Sequence, residues 1–135
     1  MPRWLKITLI VTAIVAAVIA AIVYLVISWT SVLVEPVARQ LAALKAGDMD
    51  AAYAETSEAF RQSTTKEAFG KFVDEYPILK DAADHSFPNR NIKNNEGYLR
   101  GSLTSSSGGV TPIEYRLVKE NGFWKIIYIN VNPSS

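Results

Sequence analysis

Hydrophobic and polar positions fall into three regimes along the chain. From Ile7 to Val34 the run carries no charge and is built mainly from Ile, Val, Ala and Leu. From Pro36 to Tyr76 apolar residues recur at helical spacing, and from about His85 onward they alternate as strands do. The first regime is decisive. A bilayer core about 30 Å thick takes roughly 20 apolar residues as a helix, and a domain of this size has no interior that would hide such a helix on every side. The pattern predicts one transmembrane helix followed by a single α+β domain with helices on one face of an antiparallel sheet.

Within the domain, Pro36 suits a first helical turn, and Val37, Leu41 and Leu44 form an i, i+4, i+7 stripe. Gly47-Asp48 closes that helix and caps a second one, whose inner side is Met49, Ala52 and Tyr53. A short element spans 57–60. Thr64-Thr65-Lys66-Glu67 reads as a capping box for a helix with Phe69, Phe72, Val73 and Tyr76 on one face, ended by Pro77. Asn121-Gly122 is the strongest hairpin signal. It pairs Lys119 with Trp124, Leu117 with Ile126, and Tyr115 with Tyr128. Earlier strands are expected over 97–104 and 85–92, and Thr104 to Gly109 is a Ser/Gly loop.

The apolar run is longer than the h-region of a cleaved signal peptide, so the expectation is a retained anchor over 1–34 and an extracytoplasmic domain over 35–135. Arg3 and Lys6 precede the run without an acid, which by the positive-inside rule keeps the N-terminus in the cytoplasm. In a Gram-negative cell this means an inner-membrane, single-pass protein with a periplasmic domain. Trp4 at one end, with Tyr24 and Trp29 at the other, match interfacial aromatic belts. Ala13, Ala17 and Ala21, flanked by Ala16 and Ala20, form a small-residue stripe that lets a second helix approach closely.

Composition narrows the function. All 13 acids and all but two of the 14 bases follow Val34, so the domain is nearly neutral and offers no basic patch for nucleic acid. Cysteine is absent, which removes disulfides, thiolate metal sites and a thiol nucleophile.

The run from Ala38 to Tyr53, with its Ala-Gly-Asp-Met-Asp turn, resembles the opening of cystatin-like domains of the nuclear transport factor two-like superfamily. So do Phe60, the Thr64 to Phe72 segment and the closing Glu120-Asn121-Gly122-Phe123-Trp124-Lys125-Ile126. The resemblance covers roughly residues 36–132 and implies a curved sheet, in a membrane-anchored bacterial version of the fold. It implies no activity, since such domains serve as enzymes, pocket binders and scaffold subunits alike.

Candidate chemistry is sparse. The single histidine, His85, stands beside Asp81 and Asp84, but neighbours on a strand point to opposite faces, and two acids with one His make an incomplete metal set. No catalytic residue, metal or cofactor is expected. Tyr53, Phe69, Phe72, Tyr115, Trp124 and Tyr128 are the candidate lining of a pocket between helices and sheet, and core packing accounts for them equally well. Phe123, Ile127, Ile129 and Val131 are expected to form an apolar row on the far sheet face, covered by another protein or a second copy. The expected function is a non-enzymatic accessory or scaffold subunit of a membrane complex, or a homo-oligomer. The alternative is a tethered small-ligand binding module. The expected partners are lipid and other membrane subunits or self.

Overall fold

The structure is a computed structural model that describes residues 2–133, and of residues 26–30 the backbone alone. It divides into two compact units, Met1–Ser31 and Val32–Ser135. The chain runs α1 (Arg3–Lys45), α2 (Met49–Ala54), α3 (Glu58–Ser63), α4 (Lys66–Glu75), α5 (Ile78–Asp81), β1 (Ala82–Lys93), β2 (Glu96–Ser105), β3 (Val110–Glu120) and β4 (Phe123–Val131).

In the first unit, Arg3–Leu25 of α1 is long and apolar enough to cross a membrane, with a mean hydropathy of 2.7 and none of its span buried. Its two threonine hydroxyls are satisfied within the helix. Thr8 Oγ1 donates to the Trp4 carbonyl at 2.9 Å and Thr12 Oγ1 to the Thr8 carbonyl at 2.8 Å, which hides polar atoms that an apolar surrounding would penalise. Trp4 and Tyr24 are exposed. The Trp29 side chain lies outside the described residues.

In the second unit, the last turns of α1 form the spine of the core. Leu33, Val37, Leu41 and Leu44 are all buried. Leu33, which reads in sequence as the end of the apolar run, is therefore a core residue of the domain. Pro36 lies inside α1 and does not start a new helix. A proline there removes one backbone bond at a cost of about 3 kcal/mol. Complete burial of Leu33 and Val37 on either side contributes roughly 1.5–3 kcal/mol each, enough to offset it.

Gly47 takes φ +79° to close α1, and Asp48 caps α2 by accepting from the Ala51 N–H at 3.1 Å. The expected capping box does not form. Thr64 already ends α3, its N–H bonded to the Phe60 carbonyl at 2.8 Å. The cap of α4 falls to Thr65, which accepts from the Ala68 N–H at 3.1 Å.

The four strands form one antiparallel sheet in the order β1-β2-β3-β4. Asn121 and Gly122 both adopt positive φ, as a two-residue hairpin of this hand requires. Asn94, also at positive φ, makes a second tight turn that sets Lys93 opposite Glu96.

The β3–β4 register holds as expected for Lys119 with Trp124 and Leu117 with Ile126, then shifts by one residue at Ile127. Beyond that bulge Arg116 faces Tyr128 and Tyr115 faces Ile129, so the expected Tyr115–Tyr128 pair does not exist. Because side chains alternate with period two, one extra residue exchanges the two faces for the rest of the strand. The 55–57 turn is stitched to β4 just before the bulge, by the Ser57 N–H to the Ile126 carbonyl at 2.8 Å and the Ile126 N–H to the Glu55 carbonyl at 2.9 Å.

Candidate functional site

Ala13, Ala16, Ala17, Ala20 and Ala21 all lie exposed on α1 in the first unit. Their small side chains leave the helix backbone open to close approach along that stripe.

Between the helices and the sheet, the aromatic residues are packed against one another. Tyr53 and Phe69 stand 5.9 Å apart, Phe60 meets Phe69 edge-on at 5.8 Å, and Phe72 lies 5.1 Å from Tyr76. Phe69 and Tyr115 are completely buried, and Phe87 meets Tyr115 edge-on at 5.8 Å. Trp124 packs against the same cluster. The Tyr53 hydroxyl donates to the Thr64 carbonyl at 2.6 Å. Of the six residues expected to line an inner pocket, five therefore stand in or against the core. Tyr128 does not, because the bulge turns it to the outer face, where it is 42% exposed.

Two polar atoms in this core lack a hydrogen-bond partner among the described residues, the Tyr115 hydroxyl and Gln40 Oε1. Gln40 Nε2 donates to the Ala52 carbonyl at 3.2 Å. Burial pushes the Tyr115 phenol well above its ordinary range.

The acids near His85 are turned elsewhere. Asp84 accepts the His85 backbone N–H at 2.8 Å, and Asp81 accepts from the Ser106 hydroxyl at 2.6 Å. The His85 ring lies 5.7 Å from that of Phe87. Among the described residues no three His, Asp or Glu side chains gather as metal ligands do.

The expected outer row of Phe123, Ile127, Ile129 and Val131 is corrected by the same bulge. Val131 is 7% exposed and belongs to the core, and Ile129 packs against it. Phe123 is 69% exposed, and Ile127 at the bulge borders a groove on the outer face.

That groove, of about 580 Å³, is the site that reading the sequence missed. Its floor is the cross-strand row Asn91–Tyr98–Arg116–Tyr128, one residue from each strand. Val118, Ile127, Lys93 and Glu96 stand around it. The Arg116 guanidinium carbon lies 5.2 Å from the centre of the Tyr128 ring, a cation–π arrangement. Arg116 Nε also faces Glu114 Oε1 at 3.4 Å. Tyr98 and Arg116 alternate outward in the sequence, but only the bulge brings Tyr128 into their row.

Comparison with known structures defines the class first. An NTF2-like protein of unknown function from Shewanella oneidensis MR-1 is similar, with a TM-score of 0.57, 14% identity, and coverage of 76% of this chain and 97% of its own. Another, from Shewanella baltica OS155, has a TM-score of 0.54 and 14% identity, over 80% of this chain and 97% of its own. The fold is NTF2-like, helices against a curved antiparallel sheet. No curated protein matches the sequence. Residues 30–135 match the family described as "Domain of unknown function (DUF4864)", and the chain belongs to that family.

Proposed function

We propose that the chain is a non-enzymatic, single-span membrane protein whose NTF2-like domain is held outside the cytoplasm, and that it acts as an accessory or scaffold subunit in a membrane complex or homo-oligomer. The observation that carries this reading is the first unit of α1, a span of mean hydropathy 2.7 with no part buried by the rest of the chain. So large an apolar surface demands an apolar surrounding, and lipid supplies it. The exposed alanine stripe is a surface on which a second helix would seat. Arg3 and Lys6 ahead of the span support a cytoplasmic N-terminus. The two acids beside His85 in sequence accept from a backbone N–H and from the Ser106 hydroxyl, and among the described residues no hydrogen bond ties either to the His85 ring, which supports a non-catalytic reading.

The test is native extraction from membranes followed by mass measurement of the intact particle. The reading expects a particle heavier than one chain, in fixed stoichiometry. A lone chain in a mild detergent or native lipid disc overturns it.

A further inference from the structure

The outer-face groove is built around a cation with an unused edge. Arg116 is held on two sides, by the Tyr128 ring at 5.2 Å and by Glu114 Oε1 at 3.4 Å from Nε. Glu114 itself is only 8% exposed, although it belongs to the outward-facing row. A carboxylate so placed orients the guanidinium, although the Arg116 side chain stays 61% exposed. It engages Nε alone, and among the described residues Nη1 and Nη2 have no hydrogen-bond partner. The two parallel Nη donors match a carboxylate in bidentate fashion.

Two cations, Lys93 and Arg116, and one acid, Glu96, line the groove. The outer face carries Lys93, Arg100, Arg116 and Lys125 against Asp84, Glu96, Glu114 and Glu120, and Lys125 is committed to the Ala54 carbonyl at 3.1 Å. Glu120 is committed elsewhere, accepting the Glu58 N–H at 3.1 and 3.2 Å. Glu96 faces Lys93 directly across the β1–β2 turn. The other surfaces are apolar or aromatic, from Tyr98, Val118, Ile127 and Tyr128. A volume of about 580 Å³ lies in the range of small-molecule sites.

We propose that this groove binds a small monocarboxylic acid with an apolar or aromatic body, its carboxylate on the Arg116 Nη pair and its body laid between Tyr98, Tyr128 and Ile127. The site lies within one chain and does not depend on assembly in the membrane.

The probe is phenylbutanoate, compared with its neutral amide, which has the same body and no charge. Each is titrated by saturation-transfer NMR against the full chain in phosphatidylcholine nanodiscs, with empty discs subtracted. The acid should bind about tenfold more tightly than the amide, as a charge-assisted bond is worth roughly that factor. Arg116→Gln should remove the difference. Arg116→Lys should keep part of it, since the charge remains and the fork does not. Tyr128→Leu should weaken both, and the acid more than the amide, since it removes the ring that holds Arg116 as well as a wall for the body. Equal binding of acid and amide by the wild-type chain overturns the proposal without any variant. So does the absence of binding above empty discs, or an undiminished preference in a folded Arg116→Gln chain.

Discussion

The carbonyl oxygen of Ser86 lies against the Cα of Gly101, in the space a side chain at position 101 would occupy. Here β1 departs from regular pairing between Ser86 and Asn89, and the departure turns Phe87 into the core against Tyr115. Gly101→Ala must push backbone aside and should cost about 3 kcal/mol, the upper end for overpacking. Gly97 is also crowded, but by the side-chain ends of Leu33 and Trp124, with Trp124 Cζ3 at 3.3 Å from an added Cβ. Gly97→Ala should cost about 1 kcal/mol, because a side chain yields more readily than a strand. Urea unfolding of the two variants checks the order, and a reversed ranking contradicts this account of the β1 bulge.

Val131→Glu should destabilise the domain by about 4 kcal/mol, since it buries an unpaired charge in the core. Phe123→Glu, on the same strand, should change stability by no more than about 0.5 kcal/mol. Circular dichroism melts would show this, and a stable Val131→Glu chain would mean that the register shift at Ile127 is absent.

Much of this architecture is legible in the residues. The Asn121-Gly122 turn fixes where β3 and β4 meet, and the Val37, Leu41, Leu44 stripe marks the helix that fills the sheet. The shift at Ile127 is barely legible. Phe123 to Val131 is apolar on both faces apart from Lys125 and Asn130, whose opposite parity is the one mark the inserted residue leaves, and face assignments reverse from Tyr128 onward. The groove was hidden for that reason, because two of its walls depend on the bulge. Pro36 misleads in another way. Proline favours a helix start locally, and the burial of Leu33 and Val37 overrides that preference.

Tyr115→Phe should leave stability unchanged or raise it by up to about 1 kcal/mol at neutral pH. It removes a buried hydroxyl that has no partner among the described residues. The two chains should diverge in alkali. Burial raises the folded phenol above its unfolded value near 10. The folded state therefore holds that proton more tightly, and the associated stability is present below pH of about 10 and lost as pH rises beyond it. Chemical melts at rising pH should show the wild-type chain losing stability faster than Tyr115→Phe. Parallel curves would place the hydroxyl in contact with solvent.

A reporter active only in the cytoplasm, fused after the last residue, should be silent, given Arg3 and Lys6 ahead of the span. A reporter active only outside should work. The opposite pair of results reverses the orientation.

Photocrosslinking in intact membranes tests the assembly reading most directly. A photoreactive residue at position 17 lies on the alanine stripe, and one at position 19 lies on the opposite side of the helix. Position 17 is predicted to yield a discrete protein adduct, a second copy or a distinct subunit, while position 19 labels lipid. Lipid labelling alone at both positions would contradict the claim that this helix assembles.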